Sequence, residues 1–378
     1  MGRRILYVQF TDPAAYPPVE HSAVLLAERG WDVLLLGTGT SGDLKLELPA
    51  HPRIRVRKMR FVGAGWKQKL NYIAFLLWIF YWILRWRPQW IYASDSLAAP
   101  LAWLVQKLTK VRVVYHEHDS PNLEQPLSGF MNLVFAYRNK LGRDADLCVL
   151  PQRERLLHFV EDTQRSKPTL CVWNCPRVDE ITERPCDQGE ELSLYYHGSI
   201  NRVRLPAQLV IAAIRLNPLV RLQVVGYETE GGYVEELTRL ASENGAATLI
   251  EYRGAMGRRD LFRCAARADI GMCLMPKHSD DINLRHMVGA SNKAFDYMAC
   301  GLPLLVSDLP EWVTTFVEPG YALASDPDDP DSIEVALRWF LDHPDERREM
   351  GRRCRAKIQQ GWNYDTQFSN VLAAIENG

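Results

Sequence analysis

The chain has no excess of either charge. Its 45 lysines and arginines face 46 aspartates and glutamates over 378 residues, so no global field draws it to nucleic acid or to an anionic membrane. Any anionic ligand must therefore be held by locally placed charge. None of the eight cysteines, at 148, 171, 175, 186, 264, 273, 300 and 354, falls in the paired CxxC spacing of a tetrahedral zinc site. They read as reduced thiols of a cytosolic protein. The first ten residues pass from Arg3 and Arg4 straight into an apolar strand with no small-residue cleavage site, so no secretory signal is expected. A membrane-length apolar run is also lacking. Ile73 to Leu84 holds twelve residues without a charge, against about 20 for a bilayer span. No repeat of fixed period and no low-complexity tract occurs, which argues against solenoid and disordered architectures. What is left is a cytoplasmic globular protein, and at this length two domains of ordinary size are expected.

Short aliphatic runs alternate with longer helical patterns: Ile5 to Phe10, Asp32 to Leu36, Ile54 to Met59, Trp90 to Ala93, Val111 to Tyr115 and Leu147 to Leu150. A polar segment between Cys175 and Glu190 interrupts them. They resume at Leu192 to His197, Leu222 to Gly226, Leu249 to Arg253, Ile270 to Met275, Leu304 to Ser307 and Tyr321 to Ala324. Runs that are apolar on both faces and separated by helices predict parallel sheets. The expected fold class is α/β, with two Rossmann-like, doubly wound domains over 1–180 and 181–358 and a closing helix over 359–378 that crosses back to the first. Such sheets bind ligands at their carboxyl edges.

Three segments carry chemistry. In Ser291-Asn292-Lys293-Ala294-Phe295-Asp296-Tyr297-Met298-Ala299-Cys300-Gly301-Leu302-Pro303, Ser291 is the expected cap of a helix that Gly301 stops. The free amides at Ala290, Ser291 and Asn292 and the positive end of the helix suit a diphosphate, and Lys293 adds a full charge. Asp296, one turn on, can accept two ribose hydroxyls. The second segment, Tyr196-His197-Gly198-Ser199-Ile200-Asn201-Arg202-Val203-Arg204, is a strand-to-helix turn. Gly198 permits close backbone approach there, and Arg202 and Arg204 are placed to fork onto phosphate oxygens. The third, His116-Glu117-His118-Asp119, ends the strand Val111 to Tyr115. Two histidines two residues apart, with no third ligand cluster, make a poor metal site.

The first of these segments resembles the "NKxFEYMAxGxPV" pattern of glycosyltransferase family 4, through Asn292, Lys293, Phe295, Tyr297, Met298, Ala299, Gly301 and Pro303. The resemblance implies a GT-B fold: an acceptor-binding first domain, a nucleotide-sugar-binding second domain and a cleft between their carboxyl edges. It implies transfer of a sugar from a nucleoside diphosphate, UDP being the commonest, to a hydroxyl of a glycan, lipid-linked or small-molecule acceptor. Anomeric configuration would be retained and no metal or other cofactor required. On the same resemblance Arg204 stabilises the leaving diphosphate, with Ser199 where family members carry another cation. His118 matches the histidine of patterns like "VVYDxHE" and is expected to contact the transferred sugar. Gly226 and the turn at Ala255 and Met256 lie beside the donor. Two glutamates eight residues apart are usual in the family; here Val288 and Asp296 stand in their places. Asp280 and Asp281, in the preceding loop, are the candidates to replace the lost sugar contact.

Two other readings stay open: a nucleotide-sugar 2-epimerase of similar architecture, and a catalytically silent nucleotide-sugar-binding scaffold, suggested by Val288 and Ser199. Residues 68–87, with Trp78, Tyr81, Trp82 and Trp86 accompanying the apolar run and Lys67, Lys69, Arg85 and Arg87 flanking it, fit either a core helix or a helix lying on the inner membrane face.

Overall fold

The computed structural model describes residues 2–40, 47–121, 128–183 and 191–377. Cys186 lies outside the described residues, and the other seven cysteines are free thiols. The chain divides into two compact units. One comprises Met1–Asn174, Asp281–Ala290 and Tyr364–Gly378; the other comprises Cys175–Asp280 and Ser291–Asn363.

The division differs from the expected one in three places, one being the return to the first unit at Tyr364 rather than at 359. The chain leaves the first unit after Asn174 rather than at 180, and residues 281–290, expected in the second domain, belong to the first. Hydrogen bonds account for this. The Asn174 backbone N–H donates to the Gly289 carbonyl and its side-chain amide to the Ala290 carbonyl, both at 2.7 Å. Gly289 is left-handed at φ 85°, and a Cβ there would lie 2.5 Å from the Trp173 ring. The final segment enters the first unit's core, where Tyr364, Phe368, Val371, Leu372 and Ile375 pack with Ile5, Tyr7, Val33 and Leu35.

The first unit is a seven-stranded parallel sheet in the order β3-β2-β1-β4-β5-β6-β7. Its strands are β1 (Arg4–Val8), β2 (Asp32–Thr38), β3 (Ile54–Met59), β4 (Trp90–Ser94), β5 (Arg112–His116), β6 (Leu147–Leu150) and β7 (Thr169–Cys171). The inner strands are buried on both faces, as their unbroken apolar runs require. β7 is an edge strand of three residues, too short to give a periodic signal, and it was not among the expected runs. A 21-residue helix, Trp66–Trp86, covers one face of this sheet. It buries Tyr72, Phe75, Ile79 and Ile83, the last three against Leu6, Leu34 and Ile91. Its other face is exposed, so residues 68–87 satisfy the core reading on one side only. No helix among the described residues is long and apolar enough to cross a membrane.

The second unit repeats the winding with six parallel strands in the order β10-β9-β8-β11-β12-β13. They are β8 (Leu192–Ile200), β9 (Val220–Glu228), β10 (Ile250–Tyr252), β11 (Ile270–Cys273), β12 (Leu304–Ser307) and β13 (Ala322–Ser325). In each sheet the strand order reverses beside the first strand, where doubly wound sheets open a ligand crevice.

Candidate functional site

At the carboxyl edge of the second unit, β8 and β9 run side by side with Gly198 opposite Gly226. Both glycines have backbone angles that side chains rarely adopt, φ 118° and φ 144°. A Cβ on Gly226 would lie 1.8 Å from the Gly198 carbonyl oxygen, and one on Gly198 would lie 2.8 Å from Cε of Lys293. Gly226 therefore permits the close approach of its strand to the Gly198 backbone, and Gly198 makes room for the Lys293 side chain to lie across the sheet edge. Lys293 sits in the first turn of the helix Asn292–Ala299. Ser291 is the N-cap of that helix, but its side chain makes no capping hydrogen bond, so the amides of the first turn lack a side-chain cap, while the Ala290 N–H, expected to be free, donates to the Met287 carbonyl at 3.0 Å. Gly301, at φ 72°, ends the helix as expected, with the Leu302 N–H reaching back to the Tyr297 carbonyl.

Lys293 is buried. Its Nζ donates to the Tyr196 hydroxyl at 2.7 Å and lies 4.1 Å from the centre of that ring. Burial, reinforced by the nearby Arg204 charge, pulls its pKa down to about 7. Burial pushes the Tyr196 phenol up, partly offset by Arg204. It stays protonated and donates to the Ser199 carbonyl. Arg204 is half-buried in the following turn, where its N–H is held by Asn201 Oδ1 at 3.0 Å. Among the described residues, neither the Arg204 guanidinium nor Lys293 meets a carboxylate. Two cations thus stand at one sheet edge with no counter-charge.

The other cation expected here is engaged elsewhere. Arg202 is exposed, lies over the Tyr233 ring, and is paired with Glu230 at 3.0 Å and also with Glu236. Asp296 is buried and not free to grip a ribose with both oxygens. It accepts two bonds from Arg258, at 2.9 and 3.1 Å, and His197 Nε2 stands 3.4 Å away. A carboxylate has about four acceptor positions, so at most one remains for a ribose hydroxyl. Arg258 is shared with Glu180, and burial lowers the pKa of His197 against the pull of Asp296. Ala255 and Met256 follow Gly254, whose carbonyl accepts the Gly226 N–H at 2.9 Å, so this turn is brought beside the glycine pair. Of the sugar-contact candidates, Asp280 is exposed and belongs to the second unit. Asp281 belongs to the first unit, as does Ala290. It caps the short helix Ile282–Arg285 through the Asn283 N–H at 2.9 Å.

The first unit holds a second polar constellation at the carboxyl ends of β4 and β5. His118 Nε2 is hydrogen-bonded to Ser94 Oγ at 2.8 Å, the His118 backbone N–H donates to Asp95 Oδ1 at 3.0 Å, and its carbonyl accepts from the buried Arg155. Its ring lies 4.0 Å from that of His116. Burial lowers its pKa to about 4, against the opposing pull of Asp119, and its buried Nδ1 has no hydrogen-bond partner among the described residues. Glu117 is occupied structurally. It accepts Arg138 at 2.6 and 2.7 Å and the Tyr115 hydroxyl at 2.8 Å. Ser120 is held through its N–H and carbonyl by Asn283, each at 2.8 Å. Among the described residues no three His, Cys, Asp or Glu side chains cluster as a metal would require.

Asp95 was absent from the expected site residues. It directly follows β4, is left-handed at φ 64°, and accepts from Gln9 Nε2 at 3.3 Å as well as from His118. Burial raises its pKa to about 6, although the bonds from His118 and Gln9 oppose it. A non-glycine residue in that conformation stores strain, as binding sites often do. The signal that would have found it is the one that found His118, a polar side chain at the carboxyl end of a buried strand.

Two family models match this chain: a glycosyl transferase-like model over residues 202–373 and a glycosyl transferase 4-like domain over residues 18–163. With the two doubly wound sheets they define a glycosyltransferase of the GT-B fold. The chain belongs to the family-4-like members of that class. A stretch of 169 residues is 29% identical to a "GDP-mannose-dependent monoacylated alpha-(1-6)-phosphatidylinositol monomannoside mannosyltransferase" of Corynebacterium glutamicum; it covers 43% of this chain and 40% of that relative's length. Among solved structures, sucrose-phosphate synthase from Thermosynechococcus elongatus superposes with a TM-score of 0.74 at 16% identity, covering 99% of both chains. Anabaena Alr3699/HepE, in complex with UDP-glucose, superposes with a TM-score of 0.72 at 14% identity, covering 99% of this chain and 100% of that one.

Proposed function

We propose that this glycosyltransferase moves a hexose from a nucleoside-diphosphate sugar, UDP-sugar first among them, to a hydroxyl of a glycan, lipid-linked or small-molecule acceptor. Transfer retains the anomeric configuration, needs no divalent metal, and takes place in the cytoplasm. The observation that carries this reading is the pair of cations without counter-charge, Arg204 and Lys293, beside the Gly198–Gly226 gap. Fixed cations and helix amides stabilise a leaving diphosphate without reorganising as charge develops. The anomeric carbon–oxygen bond breaks with its electron pair passing to the diphosphate. The acceptor oxygen then bonds to that carbon from the same face, and its proton passes to the departing phosphate oxygen. Asp296 takes one ribose hydroxyl, the turn at Ala255 and Met256 meets the base, and neutral His118 contacts the sugar.

Thermal unfolding in the presence of UDP-, GDP- and ADP-sugars, each with and without chelator, tests the donor half. A donor at about a hundred times its Kd adds about 2.7 kcal/mol of stability. A stabilisation that vanishes with chelator and returns with magnesium or manganese contradicts the metal-free reading, and no shift with any nucleotide sugar contradicts the donor assignment.

A further inference from the structure

The near-neutral total charge conceals a local asymmetry. Between Glu47 and Asp95 the sequence contains no acidic residue and nine cations: Arg53, Arg55, Arg57, Lys58, Arg60, Lys67, Lys69, Arg85 and Arg87. This stretch folds into β3, the edge strand of the first sheet, and the helix Trp66–Trp86. Opposite its core stripe, the helix exposes Trp66, Leu70, Ile73, Leu77, Phe80, Tyr81 and Leu84, with Leu77 at 68% and Leu84 at 60%. No charged residue falls from Leu70 to Leu84, a length of about 22 Å along the axis. Cations stand at both ends.

The edge strand adds charge on the same side. Ile54 and Val56 pack into the core on one face of the sheet, while Met59 packs with the core on the other, beneath the helix. Strand alternation therefore puts Arg55 and Arg57 on the helix-bearing face, and both are exposed. Arg53 and Lys58 are paired, with Asp32 and Asp12. Among the described residues Arg55, Arg57, Arg60, Lys69, Arg85 and Arg87 meet no carboxylate.

We propose that this face docks on an anionic lipid bilayer surface, with the apolar side of the helix sunk into the headgroup boundary and Arg55 and Arg57 on lipid phosphates. An in-plane helix with an apolar face, aromatic residues and cationic ends is the physical pattern for such binding. A second copy is disfavoured by charge. A two-fold pairing of this helix antiparallel to itself sets Lys67 and Lys69 against Arg85 and Arg87, like against like.

Vesicle flotation with the intact protein tests the docking and needs no sugar donor, so its failure leaves the transfer reading standing. The protein floats with phosphatidylglycerol-containing vesicles at low salt, less so at high salt, and not with pure phosphatidylcholine. Leu77→Gln with Leu84→Gln abolishes flotation, and Arg55→Gln with Arg57→Gln weakens partition about five-fold per cation removed. All four side chains are exposed, so an unchanged thermal melt checks that the variants fold. No association with anionic vesicles at low salt overturns the proposal, as does binding that neither pair of substitutions alters. Loss of a solution dimer on Leu77→Gln, without vesicle binding, assigns the face to a second copy instead.

Discussion

Raising the pH loosens the second unit's hold on a diphosphate, because Lys293 waits for its ligand only half charged. With its pKa near 7 in the empty protein, the amine is neutral in about nine molecules in ten at pH 8 and about one in ten at pH 6. A bound diphosphate beside Nζ restores the ammonium. Recovery of the ordinary value of 10.5 corresponds to about 5 kcal/mol of coupling between proton and ligand. Diphosphate binding at pH 8 then draws up about 0.9 proton, and apparent affinity falls about fifty-fold from pH 7 to pH 9. The empty protein follows the opposite slope. Its unfolded chain holds the lysine proton up to pH 10.5 and the folded one only to about 7, so stability rises with pH across that window. Titration calorimetry with UDP at pH 8, in buffers of different ionisation enthalpy, measures the uptake directly. Lys293→Met removes it. No uptake, or the same uptake in Lys293→Met, refutes the assignment of Lys293 to the diphosphate.

Arg204→Ala lowers kcat by about a hundred-fold while moving donor KM little, as loss of a placed charge stabiliser does, and Arg204→Lys recovers part of it. Arg202→Ala, which removes only exposed pairs with Glu230 and Glu236, leaves steady-state kinetics unchanged; equal effects at the two positions contradict the geometry. Acidification from pH 6.5 towards 4 destabilises the protein in urea unfolding. His118 stays neutral down to about 4, and His116 and His197 are lowered too, so the unfolded chain binds protons that the folded one refuses. Asp95, raised to about 6, works the other way below that pH and offsets one of the three. A flat or rising stability over this range refutes the neutral histidines.

Twelve of the thirteen described strands were legible, most of them because parallel strands buried on both faces leave unbroken aliphatic runs, as at Leu147–Leu150 and Leu304–Ser307. β7 was not, since three half-buried residues carry no period. In the candidate site, Gly198 and Lys293 could be read from residue type and spacing. Their mutual fit could not, because it depends on a Cβ clash between elements some 95 residues apart in sequence. Spacing also could not tell Arg204 from Arg202. The difference lies in Glu230 and Glu236, which belong to later elements. For the same reason Asp296 read as a free carboxylate: its partner Arg258 lies 38 residues away.

The order of synthesis works against the order of the sheets. The first sheet's core contains Tyr364, Phe368, Val371, Leu372 and Ile375, which leave the ribosome long after the sheet's own strands. After Asn174 emerges, about 10 to 40 s of further translation passes before Ile375 appears. The second unit ends at Asn363, and one large cluster of its core draws on residues between Leu192 and Met350, so it can close in the meantime. The nascent amino-terminal half therefore carries an uncovered apolar face while its neighbour matures, making it the natural client for a chaperone. A fragment ending at Asn174 keeps that face open permanently and is expected to aggregate when expressed alone.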